Sequence, residues 1–159
     1  MKKDIIKFKK FKKLETRITS GIVFIYNNKI LLLHPSNEKW DKTFSYPKGH
    51  IDKNESIKNA AIRETYEEIG IRIPSYYLND KNLYRMVNQD KEFNGIIKID
   101  YYFVIKLREF DFLKLFNGNI ILDRKKLQKE EADWAGFLDK CQCYEKLKPR
   151  LNRIIDHLK

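Results

Sequence analysis

The chain has little cysteine, no long apolar run and no internal repeat. Its two cysteines, Cys141 and Cys143, are separated by a single residue. A disulfide between neighbours so close is strained, and no other Cys or His cluster completes a zinc site. They read as free thiols of a reducing compartment. No apolar stretch approaches the roughly 18 residues of a membrane span. The N-terminus also lacks the roughly 7-residue apolar core of a secretory signal. The cytoplasm is therefore the expected location.

What the chain has in excess is positive charge. Among 159 residues, 33 Lys and Arg stand against 22 Asp and Glu, a formal net charge of +11 and a pI near 9.5. Such an excess favours polyanionic partners: polyphosphates, RNA or an anionic surface. It is equally the product of a Lys-, Asn- and Ile-rich composition without functional meaning. With 42% hydrophobic and 13% aromatic residues the chain is globular, and its length suits one domain with one core. Residues 1–16 stand apart as a basic arm, with seven lysines in the first 13 positions and Ile5, Ile6, Phe8, Phe11 and Leu14 between them. The arm reads either as a disordered tail or as a short amphipathic segment lying on a surface. Residues 17–159 form the expected domain.

The most informative window runs from Gly49 to Ile71. Residues 56–69 are free of Gly and Pro and stop at Gly70, a good C-terminal end for a helix. Asn54 and Ser56 are both suited to cap its start. Ile57, Ala61, Thr65 and Ile69 recur every four residues and form the expected buried stripe. Glu64 and Glu68 lie one turn apart on another face, with Glu67 beside them. Like charges so placed repel by about 0.2–0.5 kcal/mol. That face reads as solvated, or as the site of a compensating cation. Oxygen-only donors point to a hard divalent ion such as magnesium or manganese rather than zinc. The preceding Pro47-Lys48-Gly49 turn favours the cation, because a glycine loop leading into a helix brings backbone groups close to a phosphate or metal. Glu55 and Arg63 carry charges suited to pairing across loop and helix.

The whole window spells G-x5-E-x7-R-E-x-x-E-E-x-G, with Gly49, Glu55, Arg63, Glu64, Glu67, Glu68 and Gly70 at its fixed positions. At background usage of roughly 5–7% per residue type, these identities coincide at a given start with a chance on the order of 10⁻⁸. The pattern resembles the signature box of the Nudix hydrolases. The resemblance implies an α/β/α sandwich with a mixed central sheet, a magnesium or manganese ion, and attack of water on a phosphoanhydride. It implies Glu64, Glu67 and Glu68 as metal ligands together with a carbonyl of Lys48 or Gly49, and Glu55, Arg63 and Gly70 as holders of the box geometry. Beside Glu67 and Glu68, a further catalytic carboxylate outside the box is expected at Glu130 or Glu131, as base or added ligand. Asp133 and Gln128 occupy neighbouring spacings. Thr65 departs from the family, which usually has an aliphatic residue there.

Along the rest of the chain, residues 18–26 and 29–34 read as a strand pair around an Asn27-Asn28 turn. Residues 44–46 read as a short strand before the box. Residues 83–87 and 96–107 suggest a hairpin around 90–95, and the alternation Ile97, Ile99, Tyr101, Phe103, Ile105 marks one buried face. Residues 111–116 are ambiguous, 117–119 form a turn, and 134–137 a short strand. Residues 147–158 read as one amphipathic helix whose Leu147, Leu151, Ile154, Ile155 and Leu158 close the core.

The run Tyr46-Pro47-Lys48-Gly49-His50-Ile51 with Arg63-Glu64-Thr65 resembles the asymmetrical diadenosine tetraphosphate hydrolase branch. RNA 5′-pyrophosphohydrolases are close relatives of that branch, and diphosphoinositol polyphosphate hydrolases would also suit the basic charge. Candidate phosphate contacts are Lys39, Lys42 and Lys48 before the helix, and Lys81 and Arg85 after it, since lysine is an adequate point-charge partner for phosphate. His34 and His50 either contact phosphate or are structural. Tyr84, Tyr101 and Tyr102 are candidates to stack a purine, a contact worth about 1–3 kcal/mol per base; at strand spacing at least one of Tyr101 and Tyr102 belongs to the core. A non-enzymatic alternative is a Nudix-fold module binding RNA or nucleotide through the basic arm. Binding-only members typically lose box carboxylates, and here every one is present, which favours the enzyme. The oligomeric state is not readable.

Overall fold

The computed structural model describes residues 15–88 and 95–158. The basic arm up to residue 14 and most of the predicted 90–95 turn lie outside the described residues. Strand β1 (Thr16–Tyr26) is the spine of the sheet. Its second half is almost continuously buried, as expected of a strand covered on both faces. β2 (Lys29–Pro35) folds back on it through Asn27 and Asn28, whose φ values of 47° and 60° suit a two-residue hairpin turn. β3 (Lys48–His50) also pairs with β1, from Thr19↔His50 to Gly21↔Lys48. After helix α1 (Ile57–Ile69) come β4 (Leu83–Asn88) and β5 (Ile97–Lys106), which pair antiparallel, while β5 runs parallel to β1 over ten residues. Helix α2 (Glu109–Phe116) precedes β6 (Ala132–Asp139), which pairs antiparallel with β2. The sheet order is β4-β5-β1-β2-β6, with β3 attached beside β1.

Helices cover both faces of this mixed sheet. Ala61 and Ile69 of α1 and Phe112 and Phe116 of α2 pack on Ile22, Phe24, Phe103 and Ile105. On the other face, α3 (Lys140–Lys146) and α4 (Asn152–His157) pack Cys143, Ile154 and Ile155 on Val23, Ile30 and Tyr102. The architecture is the expected α/β/α sandwich. No helix among the described residues is long and apolar enough to cross a membrane.

Four local expectations are corrected. The predicted 44–46 strand is reduced to bridges, Ser45 with Leu33 and Phe44 with Leu147. The predicted Pro47-Lys48-Gly49 turn instead enters β3, because Gly21 lets it pass: a Cβ there would stand 2.1 Å from the Pro47 carbonyl oxygen. The helix expected over 147–158 is broken. Pro149 has no N–H to continue a helix, so α3 stops at Lys146 and a short 3-10 turn, Pro149–Leu151, precedes α4. The predicted apolar positions survive that break, with Leu147, Leu151, Ile154 and Ile155 buried and Leu158 half-buried against them. Finally, β5 is not one-sided. Phe103 and Ile105 are buried as expected, Ile97, Ile99 and Tyr101 only half so, and Asp100 and Tyr102 on the opposite face are fully buried.

Helix α1 is capped at both ends. The Ser56 hydroxyl accepts the Asn59 N–H at 3.1 Å, and Gly70, at φ 72°, donates its N–H to Tyr66, the αL ending that glycine allows. Asn54, the other candidate cap, takes φ 64° in the preceding turn. Thr65 packs in the predicted stripe at 0% exposure, and its Oγ1 has no hydrogen-bond partner among the described residues. An unsatisfied buried hydroxyl costs about 1–3 kcal/mol, whereas Val has similar volume and helix propensity. Thr65→Val is therefore expected to raise the unfolding free energy by about 1 kcal/mol in urea titration. An equal or lower midpoint would show that the hydroxyl is satisfied.

Candidate functional site

The turn from β3 into α1 is held by one side chain. Arg63 donates from Nε and Nη2 to the two oxygens of Glu55, both at 2.8 Å, and from Nη2 to the His50 carbonyl at 2.9 Å. Its Nη1 donates to Glu64 at 2.7 Å and to Glu67 at 2.9 Å. Hydrogen bonds from Arg63 hold the Glu55 carboxyl below its ordinary value. Loop, helix start and two neighbouring carboxylates are thus fixed by a single guanidinium, whose planar fork suits several carboxylate oxygens at once.

Beyond Arg63 the carboxylates line a cleft of about 420 Å³. Glu64 retains 14% side-chain exposure and Glu67 43%. Gly49 makes room for Glu64, since a Cβ at Gly49 would stand 2.1 Å from a Glu64 oxygen. Glu68 accepts the backbone N–H of Lys48 at 2.8 Å. Burial raises the Glu64 carboxyl, and it pushes Glu68 up to about 8 against the opposing pull of Lys48. Glu131, just ahead of β6, joins the same wall and adds its negative field to Glu64 and Glu68.

The same cleft has a basic lining as well. Lys48 from β3 and Lys98 from β5 line it beside Thr19. Burial lowers the Lys48 ammonium, and burial together with Lys48 and Arg150 brings Lys98 down to about 8. Behind them sits Asp100, fully buried. It accepts from the Thr19 hydroxyl, from Arg150 Nη1 at 3.0 Å and from Asn88 Nδ2 at 3.4 Å.

The structure gathers Lys48, Gly49, His50, Glu64, Glu67, Glu68 and Glu131 around this cleft. Other sequence candidates fall elsewhere. Glu130 is exposed and does not line the cleft. Lys39 and Lys42 lie exposed on the loop after β2, where Lys42 donates to the Tyr144 carbonyl at 3.4 Å. His34 is fully buried, bonded to Asp133 at 2.6 Å and stacked on Trp40, so both are structural. Tyr102 packs edge-on against Tyr46 in the core, which removes it from base stacking. Lys81 and Tyr84 line a different pocket, because the two-residue period of β4 turns Tyr84 toward α4. Arg85 points outward from β4 and Tyr101 is half-buried. Thr19, Lys98, Asp100 and Arg150 were not singled out from sequence. The sole signal for them was a charged pair two residues apart inside an apolar strand.

Among the described residues no three His, Cys, Asp or Glu side chains converge as a ready-made metal centre; Glu64 and Glu67 both turn to Arg63. The donor chemistry nonetheless fits a hard divalent cation. It offers four carboxylates in one cleft, two of them with raised proton affinity, and no thiol.

The NUDIX domain family matches residues 15–139. The chain belongs to the Nudix family. Its fold is similar to that of a MutT NUDIX hydrolase from Burkholderia pseudomallei, with a TM-score of 0.66 at 16% identity over 91% of this chain and 99% of the other. A NUDIX hydrolase from Nitrosomonas europaea gives a TM-score of 0.64 at 17% identity, over 91% and 88%. A C. elegans Ap4A hydrolase in a binary complex gives 0.59 at 21% identity, over 89% and 97%. The protein is accordingly a Nudix pyrophosphohydrolase acting on nucleoside diphosphate derivatives, and Nudix hydrolases generally use a divalent metal.

Two outcomes follow for this Nudix cleft. Gly49→Ala should leave the fold intact, because the clashing Glu64 carboxylate is a flexible end, yet displace that carboxylate. Turnover is expected to fall by about 100-fold with an unchanged circular dichroism spectrum; near-wild-type turnover would mean that Glu64 is not confined by Gly49. In chelator, stability should depend on pH through Glu68. The folded value near 8 exceeds the ordinary 4.5, so the folded state binds the extra proton. Its contribution is whole below about 4.5 and is lost as pH rises through about 8. Glu68→Gln should flatten that decline in urea titrations across pH 5–8, and parallel profiles for the two proteins would refute the assignment.

Proposed function

We propose that the protein is a magnesium- or manganese-dependent hydrolase of nucleoside polyphosphates, and that a dinucleoside tetraphosphate, cut asymmetrically, is its substrate. The observation that carries this reading is the mixed lining of one cleft, which Glu64, Glu67, Glu68 and Glu131 share with Lys48 and Lys98. Carboxylates beside lysines suit a polyanion that arrives with a cation. The Pro47-Lys48-Gly49-His50 lead-in, resembling the diadenosine tetraphosphate branch, sets Lys48 in that cleft. Likeness of fold to the C. elegans Ap4A hydrolase supports the same direction.

In this reading Glu64, Glu67 and Glu68, with a carbonyl of Lys48 or Gly49, hold the divalent ion. When bound, such an ion polarises a phosphoryl oxygen as a Lewis acid. Lys48 and Lys98 bind the non-reacting phosphates and fix the chain along the cleft. Glu131 takes the proton of the attacking water, since it reaches the cleft from outside the Arg63 network while its neighbour Glu130 does not. Arg63 and Glu55 hold loop and helix in register. Water attacks a terminal-side phosphorus and the anhydride bond to the longer phosphate chain breaks, leaving ATP and AMP. The second reading, pyrophosphate release from RNA 5′ ends, is favoured by the seven lysines of the first 13 positions.

Product analysis with magnesium tests the substrate, using diadenosine tetraphosphate, 5′-triphosphate RNA, diphosphoinositol phosphate and ADP-ribose as the panel. ATP and AMP in equal amounts are expected from the first. Two ADP per substrate would overturn the asymmetric cut, and pyrophosphate from RNA without dinucleotide cleavage would promote the second reading. Glu67→Gln and Glu68→Gln should each lower turnover by more than the roughly 10–100-fold typical of losing an outer hydrogen-bonding partner of a metal ligand. Glu131→Gln should cost more in kcat than Glu130→Gln; the reverse order would move the base.

A further inference from the structure

A second concavity lies on the same face of the sheet as Lys98, at the far end of β5. It encloses about 460 Å³ between Lys81, Tyr84, Lys106 and His157, a volume ordinary for a small-molecule site. Lys98 and Lys106 are eight positions apart along the strand, roughly 25 Å of rise, and the buried Tyr102 fills the space between. The two hollows are therefore distinct.

Its lining has an unusual charge. The chain carries 22 Asp and Glu, yet no carboxylate lines this pocket among the described residues. Nor does one line the hollow that continues past Lys106 and Leu158 to Asn27, Asn28 and Lys140. An anion seated there would meet Lys81 and Lys106 and no lining carboxylate. The second component is aromatic. The Tyr84 and His157 rings lie 4.4 Å apart, tilted by 34°, and both border the hollow. The turn that carries Lys81 is held in place as well. Asn79 Oδ1 accepts the Lys81 backbone N–H at 3.0 Å, and Asn82 ties the turn to the Tyr77 carbonyl at 2.9 Å, so the backbone that carries the exposed Lys81 side chain is already ordered.

We propose that this pocket is a second nucleotide site, in which a base stacks on the Tyr84–His157 pair and a phosphate contacts Lys81 and Lys106. A planar π-face beside a cation pair is the chemistry of a nucleoside monophosphate. The site is independent of the reaction at the carboxylate cleft and of the substrate proposed for it.

Binding of AMP in chelator, followed through amide resonances of the full chain, tests the assignment without turnover. Leu83, Tyr84, Lys106 and His157 should shift, and His157→Ala and Lys106→Glu should each weaken the AMP affinity read there by about tenfold or more. Lys106 is exposed at the strand end, so its variant stays informative if His157→Ala does not fold. Shifts confined to Lys48 and Glu68 would overturn the proposal. So would equal shifts with inorganic phosphate alone, which would show that the base contributes nothing. Turnover by Lys106→Glu should remain that of the wild type, because the carboxylate cleft lies at the other end of the strand; a loss would mean that this pocket is part of the substrate path.

Discussion

The Arg63 guanidinium is the interaction on which the rest of the site depends. Five donors are spent on Glu55, Glu64, Glu67 and the His50 carbonyl, joining a loop to a helix eight residues further on. Without it, three carboxylates would stand close together with no compensating charge. A lysine could neither span both oxygens of Glu55 nor reach the carbonyl at the same time. By engaging Glu64 and Glu67, Arg63 also leaves Glu68 to the Lys48 amide. The acidic wall is thereby tied to β3 and, through β3, to β1.

A second buried charge organises the surroundings of the two lysines. A lone ionised Asp in a core is costly unless paired and hydrogen-bonded. Asp100 meets that requirement with Thr19, Asn88 and Arg150. Arg150 is available because Pro149 breaks the C-terminal helix. The same proline that spoils a continuous helix starts the 3-10 turn carrying Arg150 and so brings a cation from the end of the chain to the middle of the sheet. Lys48 and Lys98 then sit in the combined field of Asp100 and Arg150.

What could be read from the sequence was local. The box spacing gives the carboxylates, Ser56 and Gly70 bound the helix, and four-residue spacing picks out Ala61, Thr65 and Ile69. The apolar positions after Leu147 were legible although the helix through them was not, because burial follows hydrophobic pattern while one proline alters the backbone path. The contacts that complete the cleft join residues far apart in the chain. Thr19 meets Asp100 across 81 positions and Arg150 meets Asp100 across 50, and no periodicity encodes such pairs. Gly21 shows the same limit. It is one glycine in an apolar strand, and only the passage of Pro47 against it explains why it lacks a side chain. Among 33 cations, nothing local separates Lys98 from Lys39.

Strand β5 connects these observations. Its residues 98, 100, 102, 104 and 106 share one face by the two-residue period of a strand, and their chemistry changes along it. Lys98 borders the carboxylate cleft, Asp100 and Tyr102 are sealed in the core, and Val104 and Lys106 border the second hollow. The C-terminal segment follows the same course on top, from Arg150 bonded to Asp100 to His157 tilted against Tyr84. Each end of that face brings a lysine to an open hollow, whereas the middle is packed by Tyr46, Tyr102 and Leu151. A ligand in one hollow therefore leaves the other sterically free, and one strand of ten residues, with a short broken helix over it, carries a lysine to each of two separate hollows.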